Sequence, residues 1–596
     1  MYRAPLRELR FVLEELLGSA QLAACPALAD YSDELGASIL EEAGRFAETV
    51  LEPLNRAGDR EGAHWSPEGV RAAAGFKDAY RRYVEGGWPQ LGADPRFGGQ
   101  RVPQPVSSAM QEIIASANLA FKLCPMLTHG AVHPLELCGS EAQQRLFLPK
   151  MVRGEWTGTM VLTEPQAGSD LSQVRTRATP EADRYRLFGQ KIFITWGDHD
   201  FTENTIHLVL ARIDGAPAGV KGLSLFIVPK VLVEPDGSLG ERNEVRCVSI
   251  EHKLGIHASP TCVMQYGHDR GAIGYRVGEP GHGLEYMFVM MNTARLAVGV
   301  EGYAVGERAF QQAAEYARTR LQGSAPGARA SGPSPIIQHP DVRRMLLTMK
   351  AGTEASRALA LYTGMQLELG AHHPDAALRA AAHARGELLI PIVKGWCTET
   401  GNETAAMAVQ VHGGMGFIEE TGVAQYVRDA RITTIYEGTT GIQSNDLIGR
   451  KLARDRGAAL ASLLADMRRE LQALDARDPA VRDTRDGALR AAGFLETASR
   501  TLLEEQARNP LHGFAVSVPY LRLCGLGVGG WLLARSAAIA AARRDSADHE
   551  FYQAKIRTAL FFARQMLPAA AGLAEVVESG AASVLDTDAE LVSGGS

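Results

Sequence analysis

The sequence predicts a mainly α protein with a central β domain: an N-terminal helical domain, a β-barrel-like middle domain, a helical bundle and an extra C-terminal helical domain. Three observations predict this. Up to about residue 155, apolar residues recur at three- and four-residue spacing. From about 156 the chain changes to short β-branched runs separated by turn residues. Long helical patterns return from about 280 and continue to the end. The boundaries drawn from these changes are 1–155, 156–275, 276–452 and 453–596. With 596 residues the chain is too long for one core.

The opening MYRAPLRELRFVLEELL reads as an amphipathic helix with Glu8, Glu14 and Glu15 set among its arginines. A signal peptide needs an uncharged apolar core and transit peptides avoid acids, so the expected location is cytoplasmic. ASILEEAGRFAETVLEPLNRAGD (37–59) and PEGVRAAAGFKDAYRRYVEGGW (67–88) continue the helical text. The β runs are TGTMVLT, YRLFGQKIFIT, TIHLVLARI, GLSLFIVPKVLV and VRCVSIEHKL. Helices resume with GLEYMFVMMNTARLAVGVEGYAVGERAFQQAAEYARTR. They are interrupted by GSAPGARASGPSP (323–335), whose composition is that of a flexible surface loop.

After 453 the chain carries 17 Lys/Arg against 18 Asp/Glu, so this region is no basic arm. Its most apolar segment, LCGLGVGGWLLA (523–534), is about half the length of a membrane span, so no transmembrane segment is expected. The GLGVG within it (525–529) has the spacing of close helix packing. A formal charge of −7 argues against a nucleic-acid partner. Cys25, Cys124, Cys138, Cys247, Cys262, Cys397 and Cys524 are scattered without a CxxC pair, which points to a reducing compartment and no zinc site.

The chain lacks a GxxxxGK[ST] phosphate loop, a GxSxG elbow, an HExxH and a GxGxxG. His129 and His133 are four apart but have no evident third ligand, so they read as a structural pair and no metal is expected. Three loops could carry chemistry. MVLTEPQAGSDLSQV (160–174) offers backbone N–H groups and short hydroxyls to an anion or an electron-rich ring edge, or is a polar turn. KIFITWGDHD (191–200) is a strand ending beside aromatic residues. AVQVHGGMGF (408–417) has a Gly-rich turn that lets backbone approach a ligand or joins two helices. Beyond it, ITTIYEGTTGIQ (432–443) holds one carboxylate, Glu437, with no cation beside it. Thr440 and Gln443 form a capping-box pattern, which puts Glu437 at a break before a helix start. Such an acid is catalytic or simply favours the helix dipole.

TEPxAGSD after a strand, K-x-F-I-T, M-N-x-x-R on a long helix, Q-x-H-G-G-x-G-F and I-Y-E-G-T-x-x-I-Q stand here in one order. Over about residues 80–450 the chain thereby resembles the acyl-CoA dehydrogenases. The added helical region is similar to that of the larger members, which include broad fatty acyl-CoA dehydrogenases and 3-methylmercaptopropionyl-CoA dehydrogenases. No motif reports pocket depth, so the acyl group stays open.

The resemblance implies FAD as cofactor and an α,β-dehydrogenation of an acyl-CoA to the trans-2-enoyl-CoA, as in fatty acid β-oxidation. It implies electron transfer flavoprotein as partner and, through the added helices, a homodimer. Flavin contacts are implied for Met160, Val161, Leu162, Thr163, Gly168 and Ser169, with Ser169 also touching the substrate. Phe193 (where many members have Trp), Ile194 and Thr195 would pack on the ring. Arg320, His339, Gln410, Gly413, Gly414, Thr439 and Gln443 would hold the dinucleotide; after Arg320 the usual Phe-Gly is replaced by Gln322-Gly323. Asn292, Arg295 and Gly438 would contact the acyl-CoA.

Glu437 is then the base for the α-proton. Such a proton is weakly acidic, and a base that is dry and free of a salt bridge is better able to take it. Some members carry the base beside the arginine matched by Arg295, but here Asn292-Thr293-Ala294 offers no acid. Two further readings share the fold: an acyl-CoA oxidase passing electrons to oxygen, and an alkylation-response-type DNA-binding flavoprotein. The balanced charge after 453 argues against the second.

Overall fold

The computed structural model describes residues 2–327 and 332–593, so 328–331 of the expected surface loop lie outside the described residues. The chain divides into two compact units. One comprises Ala43–Val102 and Ala117–Ala297, the other Met1–Glu42, Pro103–Ser116 and Val298–Ser596. The boundary falls within the helix Gly283–Thr319.

The first unit holds twelve described strands: β1 His64–Ser66, β2 Gly69–Arg71, β3 Thr157–Val161, β4 Arg177–Glu181, β5 Arg184–Thr195, β6 Thr205–Ile213, β7 Leu223–Pro229, β8 Val231–Val233, β9 Leu239–Arg242, β10 Val245–Ile250, β11 Thr261–Tyr266 and β12 Ala272–Val277. The main sheet runs β10-β11-β5-β12-β7-β6-β3, and β4 pairs with both β5 and β6. That double pairing closes β5, β12, β7, β6 and β4 into a ring, the barrel-like form the sequence implied. β7 is buried throughout and β6 nearly so, because their Leu, Ile, Val and Phe residues fill the core with Val161, Leu187, Ile194 and Met264.

The text 67–88 departs from the helical expectation. His64–Arg71 is a hairpin, and the helix Phe76–Glu85 starts only after Gly75 at φ +83°. Local apolar spacing is overridden because Asp198 Oδ2 accepts from Val70 N at 3.2 Å and Asp200 Oδ1 from Ala72 N at 3.0 Å. Strands β4, β9, β11 and β12 escaped the sequence reading; β4 is largely exposed and β9 partly so, and both lack apolar alternation.

The second unit is helical. Its main described helices are α1, Gly283–Thr319 from Val298 onward; α2, Pro340–His372; α3, Ala376–Ile392; α4, Thr398–His412; α5, Thr440–Asp446; α6, Pro479–Arg508; α7, Ser517–Ala542; and α8, His549–Phe561. A π-helical turn, Val393–Cys397, joins α3 to α4. α7 is 26 residues long and apolar enough to cross a membrane, against the shorter segment expected, because it extends beyond the glycine run in both directions. Its most apolar window is 83% buried within the protein. The glycines explain that depth. A Cβ on Gly525 would stand 2.2 Å from Trp396 Cγ, and one on Gly529 3.1 Å from Trp396 Cη2. Close packing is therefore what the GLGVG spacing provides.

Buried ion pairs tie the segments of this unit together. Arg357 of α2 lies 2.6 Å from Glu112 and 2.8 Å from Glu307 of α1. Lys555 of α8 sits between Glu8 (2.8 Å) and Glu354 of α2 (2.6 Å). Removing one member of such a set costs about 3–5 kcal/mol, because its partner is left charged and dry.

Candidate active site

In the first unit, the strand–loop 160–174 and the end of β5 are joined by specific bonds. Ile192 N donates to Thr163 O at 2.9 Å, Lys191 Nζ to Leu162 O at 2.8 Å, and Thr159 Oγ1 to Thr195 O at 2.8 Å. Glu164, 3% exposed, faces Lys191 Nζ at 2.9 Å and accepts from Arg175 N, Thr176 N and Thr176 Oγ1. Burial opposes its charge. The ammonium and the hydrogen bonds nevertheless outweigh burial and hold Glu164 at about 2. Lys191 has less to offset burial and falls to about 8. The glutamate of one sequence motif and the lysine of the next thus form one anchor.

That anchor sets the exposed tip. Met160 and Val161 are buried, Leu162 and Thr163 half-buried, Gly168 and Ser169 exposed. Open space surrounds the position of a Gly168 Cβ. At the end of β5, Ile194 is buried and Thr195 half-buried, while Phe193 is 59% exposed at φ +60°. A bulky residue in the left-handed region is strained, and an exposed aromatic held that way needs a purpose other than packing. Asn292 is half-buried and Arg295 is 2% exposed on the long helix.

In the second unit, Glu437 occupies an elbow between the turn Ile432–Thr434 and α5. Glu437 has φ +56° and Gly438 φ +90°, so two successive residues are left-handed. The helix is capped one residue earlier than the sequence pattern implied. Thr439, not Thr440, accepts from Ile442 N, at 3.3 Å, because the double reversal gives Thr439 an extended entry at φ −57°, ψ 165°. Thr440 instead donates to Glu399 Oε1 at 2.6 Å. Gln443, fully buried, donates from Nε2 to Glu437 O at 2.9 Å, and its Oε1 has no hydrogen-bond partner among the described residues. Lys394, also fully buried, donates to Gly438 O at 2.7 Å. Tyr436 donates to Glu301; burial and the two carboxylates Glu301 and Glu437 push its hydroxyl well above the usual tyrosine range.

Sequence reasoning missed Lys394, Glu301 and the Glu164–Lys191 anchor. A signal existed for the first two: each is a lone charge in an apolar helical run, LLIPIVKGWC and LAVGVEGYAV.

Elsewhere in this unit Gln410, Gly413 and Gly414 are exposed, and Gly413 takes φ +59° with open space around both glycines. His412 beneath them stacks on Tyr316 at 4.3 Å and donates from Nδ1 to Ala408 O at 2.7 Å. Arg320 is exposed at the end of α1, its carbonyl accepting from Ile336 N at 2.8 Å; His339 Nε2 donates to Gln322 O at 2.9 Å. His129 and His133 lie in the first unit, where burial lowers His129 and Glu136 lies 3.6 Å from His133. Among the described residues no cluster of His, Cys, Asp and Glu could hold a metal.

Known families match the chain over most of its length. The descriptions "Acyl-CoA dehydrogenase, N-terminal domain", "middle domain" and "C-terminal domain" match residues 34–155, 159–267 and 281–453, and "Acetyl-CoA dehydrogenase C-terminal like" matches 463–588. A 3-methylmercaptopropionyl-CoA dehydrogenase of Ruegeria pomeroyi is 48% identical over 573 residues, covering 95% of this chain and 96% of that one. The chain belongs to the acyl-CoA dehydrogenase family.

A broad-specificity linear acyl-CoA dehydrogenase of Mycobacterium tuberculosis is 35% identical over 98% of this chain and 99% of its own. Two solved structures share the fold. Caenorhabditis elegans ACDH-11 in complex with C11-CoA has TM-score 0.78 at 20% identity, covering 99% of this chain and 96% of its own. A Bacillus anthracis acyl-CoA dehydrogenase complexed with FAD has TM-score 0.69 at 21% identity, covering 100% and 94%. The protein is thus an oxidoreductase of the acyl-CoA dehydrogenase type, and FAD is the family's cofactor. Features within the first unit fit that group: Gly168 has open space around it, so backbone N–H groups there can meet a phosphate, and exposed Phe193 offers an aromatic surface to a ring.

Proposed function

We propose that the protein converts an acyl-CoA to the trans-2-enoyl-CoA, with Glu437 as the base that takes the α-proton. The observation that carries this is the elbow, where a carboxylate sits at a left-handed position with glycine after it, and its backbone is fixed by Gln443 and Lys394. Strain held in this way persists only where the surroundings over-determine it, and it collects at reacting centres. Bound FAD supplies the acceptor for the β-hydride. Glu437 binds the proton at its carboxylate, and Gly438, whose missing side chain lets Gln443 and Ile442 close on the elbow, is read as a backbone contact of the substrate. Ser169, Asn292 and Arg295 are read as substrate contacts. Flavin contacts are read at 160–163, 168, 193–195, 320, 339, 410, 413–414, 439 and 443.

The substrate we infer is a short acyl-CoA of the 3-methylmercaptopropionyl type, supported by 48% identity to the Ruegeria protein against 35% to the broad linear one. Electrons go to electron transfer flavoprotein, and the working form is a cytoplasmic homodimer; the seven free cysteines suit a reducing compartment. Anaerobic titration with short, medium, long, branched and thioether acyl-CoAs, read by flavin bleaching and by mass spectrometry of the enoyl product, tests the substrate. Reoxidation by oxygen against electron transfer flavoprotein tests the acceptor.

A further inference from the structure

We propose that Lys394 is a positioning residue for Glu437, holding the elbow from beneath. The inference rests on Glu437 being the base.

Lys394 lies 43 residues before Glu437 in an otherwise apolar stretch, and its side chain is fully buried. An ammonium in such a place carries a heavy desolvation penalty that a methionine of similar volume would avoid. Its Nζ donates to Gly438 O at 2.7 Å. That carbonyl belongs to the peptide immediately after the two left-handed residues, so the bond fixes the point where the chain leaves the strained turn. Gln443 does the same one peptide earlier, through Glu437 O.

The residue is itself held against the elbow. It stands on the π-helical turn Val393–Cys397, and one-turn π segments inside helices recur at functional sites. α7 of the added C-terminal region closes the far side: a Cβ on Gly395 would stand 2.7 Å from Leu521 Cδ1, and Gly525 lies directly against Trp396. The turn has no room to withdraw. The added region thereby buttresses the elbow through Lys394, besides packing on the bundle.

Three charged groups reach the elbow through hydrogen bonds: Lys394 at Gly438 O, Glu301 through Tyr436, and Glu399 through Thr440. Lys394 bonds the elbow's own backbone, whereas the two acids act through Tyr436 and Thr440, so it is Lys394 that fixes the place of Glu437.

The test uses the holoenzyme: single-turnover anaerobic flavin reduction across the pH range, for the native protein, Lys394→Met, Lys394→Gln and Lys394→Arg, with Glu437→Gln alongside. The expected result is a rate about 100-fold lower in Lys394→Met, the scale of a misplaced reacting group, with acyl-CoA affinity and FAD content near native. Lys394→Gln falls likewise, and Lys394→Arg, which keeps a donor to Gly438 O, restores much of the native rate. A folded Met or Gln variant with the native rate overturns the proposal. So does loss of FAD from both neutral variants, which would make Lys394 a folding residue. Native-rate bleaching by Glu437→Gln instead overturns the base assignment on which the inference rests.

Discussion

Lys191 Nζ lies 2.9 Å from Glu164 Oε1, both side chains are at most 3% exposed, and the pair joins the loop 160–174 to the end of β5. The exposed tip of one and strained Phe193 of the other owe their relative placement to this contact.

Glu164→Gln should therefore loosen the loop without unfolding the barrel. Folding lowers the Glu164 pKa from 4.5 to about 2, so the unfolded chain binds the proton first as pH falls. The stabilisation is present from about pH 5 up to the titration of Lys191 at about 8, and drains away as pH falls toward 2. The Tm difference between native and variant should follow that course; a difference that grows on acidification would contradict the pairing.

Phe193→Ala should weaken FAD binding about tenfold, the value of one aromatic contact, whereas Phe193→Trp should retain it. Flavin fluorescence titration of the stripped protein measures both.

Gly438→Ala places a Cβ 2.8 Å from Gln443 Nε2 at φ +90°. A stability loss of about 1–2 kcal/mol is expected from the left-handed position, together with slowed flavin reduction. Urea unfolding and stopped-flow bleaching report the two separately.

Gly525→Ala drives a methyl into Trp396 Cγ at 2.2 Å. Overpacking of this kind costs about 1–3 kcal/mol, visible as a lower Tm. A native Tm would mean that α7 packs less closely than described.

How far the sequence went depended on where the information was stored. β6 runs over Thr205–Ile213, the run TIHLVLARI, because its burial is written in consecutive residues. The hairpin His64–Arg71 was illegible because Asp198 and Asp200, some 128 residues on, supply its bonds. Glu437 was legible as an oddity of its neighbourhood. Its strained φ, its cap at Thr439 and its support by Lys394 were not, since each depends on atoms brought together by the helices. Of the candidate residues, those in 160–195 share one local framework in the first unit, Glu437, Gly438, Thr439 and Gln443 share the elbow of the second, and Gln410, Gly413 and Gly414 stand elsewhere in that unit.

The most direct test of the account is the anaerobic flavin absorbance of native protein and Glu437→Gln on adding the best acyl-CoA. The account predicts rapid bleaching in the native protein and, in the FAD-loaded variant, binding without bleaching. Bleaching of the variant at the native rate would contradict it, because the α-proton would then be leaving to another base.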